Sequence, residues 1–73
     1  MLKKEMIERI ERDYTYHPPK EDQQERYLLI RGTAKKLALL IVDLTPESRE
    51  QSVALTHLDK VVMFANAAIA RNE

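Results

Sequence analysis

Apolar residues recur at helical spacing over two long stretches of the chain. Tyr27, Ile30, Ala34, Leu37, Ile41 and Leu44 step by three and four. That spacing predicts an amphipathic helix over residues 23–44 with one core-facing stripe. Ala54, Leu58, Val61, Ala65 and Ala68 repeat the pattern and predict a second long helix over residues 46–71. A thinner stripe, Met6, Ile7 and Ile10 among alternating charges, predicts a short helix over residues 2–13. Helices below about 12–15 residues rarely stand alone in water. This one is expected to lie on another helix or on a partner chain.

Two breaks separate these elements. The first, residues 14–22, contains Tyr14-Thr15-Tyr16-His17-Pro18-Pro19-Lys20. Its prolines fix φ and push the residue before each of them toward extended geometry, so a stiff non-helical connector is expected. Asp22, followed by Glu25 three positions on, reads as a capping box opening the next helix. The second break is Thr45-Pro46. Thr45 suits the N-cap of the last helix, Pro46 its first position and Glu47 its first turn. So short a joint makes the long helices antiparallel neighbours. The expected fold is all-α: a single domain, residues 1–73, with a short N-terminal helix, a stiff Tyr/His/Pro connector and a two-helix hairpin.

The hairpin leaves too much apolar surface over. Between Leu37 and Leu44 only Asp43 is polar, and between Val61 and Ala70 only Asn66. Such runs wrap nearly the whole helix, and a helix apolar all round must be covered on several sides. The remaining cover is expected from other copies of the chain, as a homo-oligomer with two-fold elements.

Composition narrows the functions. The chain has 73 residues, twelve Lys+Arg, twelve Asp+Glu, one glycine and no cysteine. Disulfides and thiolate metal sites are excluded, and His17 and His57 are too few for a metal cage. A single glycine excludes Gly-rich phosphate loops. Zero net charge argues against a general DNA or membrane binder. With no stretch of eighteen apolar residues and no signal peptide, a soluble intracellular protein is expected.

Ser48, Ser52, Thr56 and His57 make no nucleophile–base–orienter set, since neighbours on a helix point apart and the serines suit a helix start. Glu47, Glu50 and Asp59 read as a solvated face. No enzyme and no cofactor are expected. Two features invite a ligand. The connector sets Tyr14, Tyr16 and His17 on a proline-stiffened backbone; these rings either stack on nucleobases, at about 1–3 kcal/mol per base, or staple the first helix to the core. From Arg26 to Lys36 there are four cations, with Arg31 and Lys35 an i, i+4 like-charge pair, and no acid. They either hold an anion or form a solvated face beside acids from elsewhere. Gly32, inside this helix, costs about 1 kcal/mol relative to Ala and opens room for a ligand or a neighbouring helix.

Several segments together resemble a known family. These are the connector Tyr14–Lys20, Glu25-Arg26-Tyr27 with Ile30-Arg31, Lys36-Leu37-Ala38, Pro46-Glu47-Ser48-Arg49-Glu50, and the ending from Val62-Met63-Phe64 through Ala65-Asn66-Ala67-Ala68-Ile69-Ala70-Arg71-Asn72. Over residues 5–72 the chain resembles the phage anti-CBASS cyclic-oligonucleotide sponges, CBASS being a bacterial antiphage signalling system built on cyclic oligonucleotides. The resemblance implies a small helical protein assembled as an interlocked homohexamer. It also implies that cyclic dinucleotides such as cyclic GMP–AMP, and in some members cyclic trinucleotides, are bound without cleavage in the cytoplasm of the infected bacterial host. By resemblance Tyr16 stacks on a base, with His17 and Pro18 beside it, Arg31 supplies the basic group and Lys35 follows one turn on. Asn66 and Arg71 are the implied trinucleotide site. The alternative class is a non-catalytic hairpin adaptor that binds another protein through its surplus apolar face.

Overall fold

The computed structural model describes residues 2–16 and 18–73, Leu2 as backbone only. The described residues form three helices and no strand: α1 (Leu2–Tyr14), α2 (Glu21–Leu44) and α3 (Arg49–Asn72). α2 and α3 pack against each other as an antiparallel pair. Gln51 Nε2 donates to Thr45 O (3.1 Å) at the closed end, and Gln23 Nε2 to Glu73 Oε1 (3.3 Å) at the open end. α1 is tied to the hairpin by an ion pair between Arg71 and Asp13, 3.7 Å apart.

The helix ends differ from the sequence expectation in instructive ways. α2 is opened by Lys20, not by an Asp22–Glu25 box. Lys20 is extended (φ −80°, ψ 162°), and the Gln23 side chain reaches back to accept its N–H at 3.0 Å. The helix begins two residues after Pro19, and Glu21 and Asp22 occupy its first turn, where acids favour the positive end of the helix dipole. α3 is opened by Ser48, not Thr45. Thr45 closes α2 instead, its N–H and its hydroxyl both donating to Ile41 O, at 3.1 and 2.6 Å. Ser48 Oγ then accepts from the Gln51 N–H at 3.1 Å. A Thr at a helix junction satisfies either end, and here the orphan carbonyl of α2 takes it.

The hairpin seam is formed by half-buried Tyr27, Ile30, Ala34, Ala38 and Ile41 on α2, and by Leu55, Leu58, Val62, Ala65 and Ile69 on α3. Leu44 is 70% exposed, Val61 61%, and Leu37, Ala54 and Ala68 are exposed as well. The expected stripe on α3 is therefore displaced by part of a turn. α3 is apolar over an arc wider than one neighbour covers. Its Ala54/Val61/Ala68 edge lies beside the seam, facing outward.

Among the described residues only Gln23 is buried, and no hydrophobic residue is. Two helices cannot enclose a core. The chain exposes 6496 Å², whereas a folded monomer of 8.5 kDa exposes about 4,650 Å². The radius of gyration is 16.3 Å against about 11 Å for a compact domain of this length. The molecule is a slab of 49 × 31 × 14 Å, one helix thick. By length and composition α3 is apolar enough to cross a membrane (mean hydropathy 1.3 in its most apolar window), with Asp59 and Lys60 adjacent inside it.

Candidate functional site

The seam residues Ala34, Leu58 and Val62 line two grooves, one on each face of the slab. The faces differ in chemistry. On one, Leu29, Ile30, Thr33, Leu37 and Val61 complete a groove of about 370 Å³ with almost no polar wall. On the other, Arg31, Lys35, Ala38 and Asp59 complete a groove of about 380 Å³. Helical spacing explains the split. Arg31 and Lys35 are one turn apart on one flank of α2, and Thr33 and Leu37 are one turn apart on the other.

Arg31 and Lys35 thus reach one groove together. Among the described residues neither has a carboxylate within 4 Å. Asp59 lines the same groove. The register that joins Thr45 to Gln51 and Gln23 to Glu73 sets Asn66 opposite Ile30 on α3, one turn beyond Val62. Asn66 Oδ1 is buried without a hydrogen-bond donor among the described residues. Arg71 is not with it. It lies five residues further on, well round the helix, and pairs with Asp13, which also takes Arg9 (3.7 Å) and Arg12 (3.2 Å).

The connector residues lie at the open end of the hairpin. Pro18 lines a pocket of about 310 Å³ with Lys20, Gln23, Ala70 and Glu73. Tyr16 is 81% exposed and Tyr14 is exposed too, so neither ring staples α1 to the hairpin within this chain. His17 lies outside the described residues. From Gln23 to Arg31 the axis rises about 12 Å, so Tyr16 and Pro18 do not share a groove with Arg31 and Lys35 of the same chain.

Within the Arg26–Lys36 run, Arg26 stands beside acids rather than open to an anion. Its guanidinium donates to Glu73 Oε2 at 2.7 Å and also to Glu73 Oε1, and it reaches Asp22 Oδ2 at 3.3 Å. Lys20 Nζ donates to Glu73 O at 3.2 Å. The hydrogen bond from Arg26, then that from Gln23, hold the Glu73 carboxyl down at about 2, and the same bond raises the Arg26 guanidinium above its ordinary range. Asp22 four residues before Arg26 was a readable signal. Glu73, 47 residues away, left none.

Ser48 is spent as a helix cap, and among the described residues no group of three His, Cys, Asp or Glu could hold a metal ion. An antiparallel helix pair with one apolar and one basic face, preceded by a short helix, defines a small all-α hairpin domain. The chain belongs to the Acb2/Tad1 hairpin-domain family, whose model matches residues 6–70. This is the anti-CBASS sponge family of the sequence resemblance, a family of binding proteins rather than enzymes, consistent with sequestration of cyclic oligonucleotides. No curated protein and no solved structure matches the chain.

Proposed function

We propose that the protein captures cyclic oligonucleotide messengers whole and withholds them from the host's antiphage effector. The observation that carries the reading is the Arg31–Lys35 pair. In a neutral chain of this family, two cations one turn apart line a groove without a carboxylate partner among the described residues. Like charges at that spacing repel by a few tenths of a kcal/mol. A bound phosphodiester reverses the sign, with Arg offering a planar fork and Lys a point charge. Cyclic dinucleotides such as cyclic GMP–AMP are the first candidates, and cyclic trinucleotides, with Asn66 and Arg71, the second.

The pocket is completed between copies. Tyr16, His17 and Pro18 of one protomer supply the stacking wall, and Arg31 and Lys35 of another the charge. Self-assembly, as a homohexamer by family analogy, is supported by the surface left open. The excess over a compact monomer is about 1,850 Å², and a standard interface takes about 800 Å² from each partner. Each chain therefore has surface for two partners. A membrane span is the weaker use of α3, because Asp59 and Lys60 would each cost about 2.5–3.5 kcal/mol near the bilayer centre. The expected site of action is the cytoplasm of the infected bacterial host, where the messenger is made.

Calorimetric titration with a panel of cyclic di- and trinucleotides tests the reading, with recovery of the ligand after denaturation. The expected result is tight binding and intact ligand. Tyr16→Ala and Arg31→Ala each weaken binding at least tenfold and leave the assembled mass unchanged. No binding across the panel at micromolar concentration refutes it, and cleaved ligand makes the protein an enzyme.

A further inference from the structure

A third surface of the hairpin lies beyond both grooves, sharing only Leu29 with the edge of the apolar one. It is the back of α2, turned away from α3. At about 100° per residue, Glu25, Gly32 and Lys36 fall within about 40° of one line opposite the seam residues Ala34, Ile30 and Ala38. Leu28 and Leu39 flank that line on one side, Leu29 and Leu40 on the other. All four leucines are more than half exposed. A Cβ built on Gly32 meets nothing within 4 Å. Nothing in the chain itself accounts for a glycine in the middle of a 24-residue helix, where alanine favours the helix about fivefold.

We propose that this back face is a two-fold crossing of α2 on α2 of a second copy, centred on Gly32. The inference rests on the self-assembly part of the proposed function and assigns it one surface. Glycine at the crossing lets two helix backbones approach at the short end of the usual 8–10 Å. A two-fold axis there makes the interface self-complementary. Antiparallel copies then match in charge close to the crossing. Lys36 lies about 6 Å along the axis from Gly32 in one direction and Glu25 about 10.5 Å in the other. The two-fold brings Glu25 of the second copy within about 4.5 Å, measured along the axis, of Lys36 of the first, and the pair occurs twice. Among the described residues neither side chain has an ion-pair partner inside the chain. Leu28 and Leu29 of one copy fall beside the aliphatic stem of Lys36 of the other, which covers them while its ammonium reaches the carboxylate. The surface left over after folding is large enough for this interface and another beside it.

Gly32→Ala, Gly32→Leu, Glu25→Lys, Lys36→Glu and the double variant Glu25→Lys/Lys36→Glu test the crossing in the full chain. Light scattering gives the mass, circular dichroism the helicity, and calorimetry the binding of cyclic GMP–AMP. Gly32→Ala has opposite expected effects: helicity equal to or above wild type, with a reduced mass. Gly32→Leu lowers the mass further. Each single charge reversal lowers the mass, and the double reversal restores it. A wild-type mass retained in Gly32→Leu and in both single reversals overturns the crossing and leaves assembly by other faces standing. A monomeric wild type overturns the crossing together with the self-assembly reading. Ligand binding that persists in a monomer separates that failure from failure of the messenger reading.

Discussion

Phe64 offers a sharp test of whether the exposed apolar arc of α3 is an interface. It is 63% exposed, so about a third of it is covered. Truncating a fully buried Phe to Ala costs about 3–5 kcal/mol, and a third of that is about 1–1.7 kcal/mol. For a domain of this size each kcal/mol moves Tm by about 4–8 °C. A lone hairpin with Phe64→Ala therefore loses about 4–13 °C, by the same amount at every concentration. If Phe64 is enclosed by another copy, the full cost of about 3–5 kcal/mol falls on each protomer. The Tm loss then exceeds about 12 °C, and the wild-type Tm rises with protein concentration because association favours the folded state. Thermal melts followed by circular dichroism over a hundredfold dilution series, with light scattering at each concentration, decide between the two. A small, concentration-independent loss and a wild-type mass of 8.5 kDa refute the reasoning that the exposed apolar arc of α3 is an interface.

The remaining predictions concern the ends of the hairpin. Ser48→Ala removes the acceptor that holds the Gln51 N–H and costs about 1 kcal/mol, whereas Ser48→Asp keeps a cap and costs much less; thermal melts of the two variants check it. The Glu73 carboxyl, ordinarily near 4.5 and held at about 2, has a depressed folded-state value. Its contribution is fully present above pH 4.5 and is lost as pH falls from there through 2. A carboxyl-detected NMR titration reads this directly, and Arg26→Gln returns the titration toward the ordinary range.

The two long helices and their antiparallel pairing were legible because both signals are local. Apolar steps of three and four define α2 and α3, and the Thr45–Ser48 segment is too short for any other arrangement. The family was legible through the connector and the ending together, and the family match over residues 6–70 agrees. Capping is less legible. Thr45, Ser48, Lys20 and Asp22 all stand where a cap could be, and the choice depends on which backbone group is left unsatisfied once the turn closes. Arg31 and Lys35 could be paired with each other from spacing alone, but their separation from Tyr16 and Pro18 required the hairpin's length.

By itself the sequence determined that the chain is helical, that it folds back once, and that it carries more apolar surface than one hairpin can hide, because periodicity and composition act within a few turns. Only the tertiary structure decided which of two adjoining apolar arcs of α3 meets α2, leaving Val61 and Phe64 outward. It also decided that the basic and apolar grooves lie on opposite faces, and that Arg26 belongs to Glu73 rather than to an anion. Each of those outcomes depends on residues far apart in the chain and near in space. No local pattern carries that information, because the free energy that selects among them arises only when the two helices dock.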